Sequence, residues 1–212
     1  MKLKGILITL LFLFSLGTAG YIVGRAPHSE SKQGFTLHIA ITDYRSDGSG
    51  PILNATKVRY HKGDGSWKME TTYPNGRVDV GFGQMGRGVF HVDEKNNRLD
   101  YVSGLSARDV TEDSRRERQG YVGEETILGY KTLHFHSVSE ETGESLDSYL
   151  CPALQGYPVK VVSTSKNGAK NIYEVTQVTL GEPSFTVPDY PVDMTHYEQV
   201  HGPGAAATVQ KP

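Results

Sequence analysis

The chain predicts a mainly β domain with minor α content: a strongly curved antiparallel meander sheet or half-open barrel with one short helix. Three observations carry this expectation. Apolar residues recur with period two from Phe35 onward, turn signals punctuate the runs at regular spacing, and only Ser106 to Arg118 has a helical pattern.

The first strand is the clearest, because Phe35, Leu37, Ile39 and Ile41 alternate with Thr36, His38, Ala40 and Thr42. In the next run Val58 and Tyr60 are the apolar positions, set against Lys57, Arg59 and His61. Trp67, Met69 and Tyr73 then stand against Lys68, Glu70 and Thr72, and Val78, Val80 and Phe82 against Arg77 and Asp79. Gly63-Asp64-Gly65, Pro74-Asn75-Gly76 and Lys95-Asn96-Asn97 separate these strands from one another and Val89–Val92 from Leu99–Val102. Asn and Gly tolerate the positive φ of tight hairpins, so consecutive strands should pair antiparallel. The second half repeats the scheme over 127–138, 145–150, 157–164 and 171–180, with turns at Glu141–Glu144 and Lys166-Asn167-Gly168. The charged run Glu112–Arg118 within the helical stretch reads as a solvated face. A sheet this long with a single helix to cover it should curl, bringing Trp67 and Tyr73 to Phe82, Phe90 and Phe135. Those aromatics are at once the core and the one plausible apolar lining.

Lys2 and Lys4 precede an uncharged run from Gly5 to Gly24, a pattern that directs export. Residues 1–25 are therefore a signal peptide or an N-terminal membrane anchor. The small residues Gly17-Thr18-Ala19 favour cleavage after Ala19 or Gly20, whereas continuation through Tyr21-Ile22-Val23 gives about the 20 residues that a span needs. If uncleaved, residues 1–25 contact the membrane. Residues 26–33 read as a linker, 34–200 as a single β-rich domain and 201–212 as a disordered tail. The predicted location is extracytoplasmic, in the periplasm or cell envelope.

A net charge of −2 with interspersed signs gives no field for gathering nucleic acid, which is excluded as a partner. Cys151 is the only cysteine, so no intramolecular disulfide forms, and it reads as a small buried hydrophobe. Gly81-Phe82-Gly83-Gln84-Met85-Gly86 spells a dinucleotide-site glycine pattern, but strand residues Gly88–Val92 follow where a helix is needed. Flexibility at a sheet bend explains it better. His134 and His136 flank Phe135 and should share a strand face about 7 Å apart, two ligands where a zinc site needs more. A nucleophile elbow is lacking. Asn54-Ala55-Thr56 would be a glycosylation acceptor only in a eukaryotic source. No catalytic residue, metal site or cofactor is expected.

Four further segments carry a resemblance: Ile127-Leu128-Gly129-Tyr130-Lys131-Thr132, Leu146 to Pro152 around Tyr149, Gly156-Tyr157-Pro158-Val159-Lys160, and Gly181-Glu182-Pro183 before Phe185-Thr186-Val187-Pro188. Over its C-terminal third the chain resembles exported bacterial LolA-like domains of the outer-membrane lipoprotein-sorting type. The resemblance implies a half-open curved sheet with an apolar cavity and a non-enzymatic binding role. The expected function is binding of a lipid or acyl chain in the curved sheet, with Trp67, Met69, Tyr73, Phe82, Phe90 and Phe135 as lining and a lipid or acylated peptide as partner. The competing expectation is a structural or protein-interaction module of the envelope with a packed core, whose partners are envelope proteins.

Overall fold

Alternation along Phe35–Tyr44 (β1) buries Phe35, Leu37, Ile39 and Ile41 on one face, as the sequence predicts. This strand is central because it pairs on both flanks, with β2 (Ile52–His61) and with the last long strand, β11 (Lys170–Leu180). The computed structural model describes residues 24–25, 33–103, 108–109, 120–195 and 197–198. One meander runs outward from β1 through β2, β3 (Trp67–Thr72), β4 (Val78–Gln84), β5 (Gly88–Asp93) and β6 (Arg98–Ser103). The other comprises β7 (Tyr121–Ile127), β8 (Tyr130–Val138), β9 (Ser145–Cys151), β10 (Tyr157–Thr164) and β11. A short β12 (Val192–Asp193) adds parallel to β6, which completes one sheet of 12 strands that does not close into a barrel. Gly24–Arg25 and Arg108–Asp109 form a separate parallel ladder.

The turns fall where Gly and Asn were read. Lys62 N–H bonds to Ser66 O across Gly63-Asp64-Gly65, Tyr73 N–H to Arg77 O across Pro74-Asn75-Gly76, and Ser165 N–H to Ala169 O across Lys166-Asn167-Gly168. The β7–β8 turn uses Leu128 and Gly129 at φ 53° and 79°, the positive pair that a tight hairpin requires. A 3₁₀ turn, Pro152–Leu154, links β9 to β10. Apart from Arg108–Asp109, which are extended, the helix expected over Ser106–Arg118 lies outside the described residues, as do residues 1–23, 26–32 and the 201–212 tail.

Two cores result, on opposite faces of the sheet. The larger joins Phe35, Leu37, Ile39 and Ile41 to Tyr157, Val159, Tyr173 and Val175, with Cys151 and Leu154 fully buried. Tyr73 after β3 and Tyr130 on β8 pack on this same cluster although five strands of the sheet lie between β3 and β8, so the sheet curves around it. The smaller core, Phe82, Phe90, Val92, Leu99 and Tyr101, lies on the outer face. It is covered by a C-terminal strap through Phe185, Val187, Tyr190, Met194 and Tyr197. Glu182 pins the start of that strap by accepting from Gly34 N–H at 3.1 Å and Gly63 N–H at 3.1 Å, while Lys62 lies 4.4 Å over the Phe185 ring. At the far end Arg98 pairs with Asp93, Asp100 and Asp193 and fixes β12 against β6.

The fully buried Phe90 should make Phe90→Ala cost about 3–5 kcal/mol, against under about 0.5 kcal/mol for Val122→Ala on the exposed edge strand. Urea unfolding followed by circular dichroism measures both.

Candidate functional site

Antiparallel pairing puts directly opposed residues on one face. The pairs Phe35–His61, Leu37–Arg59 and Ile39–Lys57 therefore turn three basic residues of β2 inward, alongside the main core. This corrects the expectation that Val58 and Tyr60 supply the inward side: both are only half-buried on the outer face, whereas Arg59 is 8% and His61 2% exposed. The signal was present in the sequence. A turn over 62–66 sets His61 opposite Trp67, so the face that takes the tryptophan must also take His61, Arg59 and Lys57.

The same register decides the aromatics. Trp67 and Met69 face inward opposite His61 and Arg59, and Tyr73 packs on the main core. Phe135 is aligned through Ser148, Val161 and Tyr173 with Ile41, so it also faces inward, with its ring 5.6 Å from Tyr121. Phe82 and Phe90 do not join them. Gly83 and Gly81 are the partners of Trp67 and Met69, which sends Phe82 to the outer face opposite Lys68, and Phe90 with it. Four of the six predicted lining residues thus share the concave face, and Phe82 and Phe90 belong to the strap-covered core.

Arg59 is the centre of the inward wall. Its guanidinium lies 4.2 Å from the centroid of Trp67 and 4.6 Å from that of Tyr157, a cation between two aromatic faces. Its Nε is buried without a hydrogen-bond partner among the described residues. Trp67 in turn lies flat over Gly83, where a Cβ would come 2.1 Å from the indole Nε1, so the ring can lie there only because the position is glycine. His61 stacks on Phe35 at 4.7 Å and shares a 3.2 Å hydrogen bond with Gln155 Oε1. Burial, reinforced by the Arg59 charge, pulls the imidazole down to about 3, so it is neutral at physiological pH. Burial and then Arg59 likewise lower the Lys57 ammonium to about 8. Behind Arg59, the Tyr157 and Tyr173 hydroxyls are hydrogen-bonded at 2.9 Å, and burial first, then the Tyr157 neighbour, raises Tyr173 well above the usual phenol range.

The histidine pair takes a different place. His134 and His136 share a face as predicted, but it is the outer one, where both bond to Asp147 Oδ1 at 2.9 Å. His134 also stacks on Tyr149 at 4.3 Å, and its Nδ1 lies 3.4 Å from Glu125. Burial raises the Asp147 carboxyl, yet the hydrogen bonds and charges of the two histidines outweigh it and leave a net lowering. Among the described residues no group of three or more His, Cys, Asp and Glu is arranged to hold a metal ion. Cys151 is buried, and burial raises its thiol above the ordinary value, against a reactive role. Two shallow depressions lie outside the inward wall, one of about 280 Å³ beside Tyr44, Arg45 and Lys170 and one of about 310 Å³ beside Lys62, Arg87 and Phe185. No helix among the described residues is long and apolar enough to cross a membrane.

The architecture is an open, curved antiparallel sheet whose inward wall is aromatic and cationic. No family model matches the chain, and no curated protein matches its sequence. Solved structures give fold likenesses. The Pseudomonas aeruginosa MucA/MucB complex is similar at 16% identity and TM-score 0.41, over 72% of this chain and 53% of that one, so the chain spans about half its length. A Vibrio parahaemolyticus domain described as an outer membrane lipoprotein-sorting protein is similar at 8% identity and TM-score 0.23, over 78% and 91% of the two chains. The Mycobacterium tuberculosis lipoprotein LppX is similar at 12% identity and TM-score 0.33, over 72% and 89%.

A depressed histidine pKa means that the unfolded chain binds a proton the folded one refuses. The His61 contribution to stability is therefore complete above pH 6.5 and is lost as pH falls from 6.5 towards 3. Chemical denaturation at a series of pH values should show a slope of up to about 1.4 kcal/mol per pH unit in that window, absent in His61→Gln. Gly83→Ala should displace the indole from Arg59, which a shift in emission of the chain's single tryptophan reports.

Proposed function

We propose that this chain is an extracytoplasmic, non-enzymatic binding domain of the cell envelope that takes an acyl chain or lipid against the concave face of its sheet. The observation that carries this reading is the inward wall of Trp67, Met69 and Tyr73. These large side chains remain half-buried beside a fully buried core, on a sheet that curves without closing. Half-buried aromatic and thioether surface on a concave face suits an adaptable apolar contact. In this reading the leader of residues 1–25 exports the domain, as a cleaved signal peptide or as an anchor, and the inward face handles lipid or acylated peptide outside the cytoplasm. Phe135 and Tyr121 extend the apolar wall on the other meander.

A second reading has one specific observation in its favour. Among the described residues strand β7 is one of the two edge strands of the sheet, and its Val122 is 58% exposed, which suits addition of a partner's strand in an envelope assembly.

The full chain, expressed with export and purified gently, should carry lipid in native mass spectrometry with extraction, or bind a fluorescent fatty acid saturably at a fixed stoichiometry. Met69→Asp should weaken that binding at least tenfold. A clean apo mass together with probe uptake that never saturates would overturn the lipid reading and favour the interaction module.

A further inference from the structure

The concave wall holds two cations with no anion to match. Lys57 and Arg59 lie two residues apart on β2 and point to the same side, about 7 Å from one another by strand geometry. Their opposed neighbours on that face are all neutral: Ile39 and Thr71 beside Lys57, Leu37 and Met69 beside Arg59. Among the described residues neither cation has an ion pair, and the next acid along the row, Asp79 opposite Thr71, is engaged with Arg77 at 3.2 Å. Arg59 is more than nine-tenths buried, its guanidinium lies over the rings of Trp67 and Tyr157, and its Nε has no hydrogen-bond partner among the described residues. Gln155 Nε2, a second buried donor from the 3₁₀ turn, is also unpartnered among the described residues.

A buried guanidinium normally carries a carboxylate or another oxyanion, because removing its charge from water without compensation is unfavourable. The two rings hold the guanidinium in place, and a planar fork with an unpartnered Nε suits oxyanion capture. Trp67 and Lys57 are half-buried, so the strip opens to solvent on the Lys57 side. Burial has already lowered the Lys57 ammonium, and a bound anion would restore its full charge.

We propose that Lys57 and Arg59 bind an oxyanion headgroup, phosphate or carboxylate, of an amphiphile whose chain runs along Trp67 and Met69. This assignment rests on the lipid reading for the chain but not for the anion. It makes the ligand an anionic amphiphile rather than an uncharged one. It also explains why the inward side of β2 is basic where an ordinary core strand would be apolar.

Calorimetric titration of the full chain tests it, with dodecyl phosphate below its critical micelle concentration, an uncharged ethylene-glycol ether of the same chain length, and inorganic phosphate alone. Tryptophan emission gives a second readout, because the single Trp67 touches Arg59. The expected result is at least tenfold tighter binding of dodecyl phosphate than of the ether. That preference should be abolished in both Lys57→Met and Arg59→Met, with ether binding unchanged in Lys57→Met. Inorganic phosphate bound with the same dependence on the two residues supports the anion site and overturns the acyl part. Equal affinity for both amphiphiles, untouched by Lys57→Met, overturns the anion site and leaves the acyl reading standing. Failure of all three ligands to bind overturns both. Should Arg59→Met fail to fold by circular dichroism, Lys57→Met on the more exposed side carries the same comparison.

Discussion

The structure depends on β1 being paired on both sides. Its partner on one flank is the next strand in the chain and on the other the last long strand, so two meanders become one sheet through a ladder that joins positions as distant as Phe35 and Leu180. The inward side chains Phe35, Leu37, Ile39 and Ile41 then act as a fixed reference, since every strand paired outward inherits its parity from them. Loss of that central ladder would leave two smaller curved sheets, each exposing half of the main core. The long-range closure is also the entropically expensive step, and the fully buried cluster around Tyr157, Val159, Tyr173 and Val175 is what offsets it.

Parity inherited from β1 has opposite consequences in the two halves. Through β11, β10 and β9 it places apolar residues inward, and the outer face is left to polar groups such as His134, His136 and Asp147. Through β2 it places Lys57, Arg59 and His61 inward, and by β4 the large apolar side chains have moved to the outer face. An outer apolar face cannot stay wet, and the strap from Glu182 to Met194 covers it. The motif Gly181-Glu182-Pro183 thus acts mechanically: it stops β11, and its carboxylate binds two backbone amides that hold the strap's entry. The basic, aromatic inward strip and the covered outer core are therefore two results of one register.

Charge is balanced unevenly across the sheet. Elsewhere on the sheet the ionisable groups answer one another, as with Asp147 between two histidines on the outer face or Arg98 among three aspartates where β6 meets β12, and such pairs leave little for a ligand to do. On the inward face Arg59 is answered only by rings, and Lys57 has no ion pair among the described residues. Stacking on Trp67 and Tyr157 returns about 1–2 kcal/mol of the desolvation that Arg59 suffers, well short of what a matched anion supplies. An unbalanced buried charge in a wall of otherwise apolar side chains is a feature that packing alone does not call for.

The sequence by itself determined the β class, the strand alternation from Phe35 to Ile41, the hairpin turns at Gly63–Gly65, Asn75-Gly76 and Asn167-Gly168, and the burial of Cys151, because each depends on local backbone preference or on residues two apart. It also placed Trp67, Met69, Tyr73 and Phe135 on apolar strand faces that the structure does turn inward. The tertiary structure alone decided which face of each later strand is the inner one. Local alternation shows that two faces differ but not which of them meets the core, and where one face is basic and the other merely apolar, as on β2, composition points the wrong way. Phe82 and Phe90 left the predicted lining for that reason, since a second core built by a segment a hundred residues downstream has no signature within their own strands. Only the pairing between distant strands places Arg59 between Trp67 and Tyr157, because no local pattern links residue 59 to residue 157.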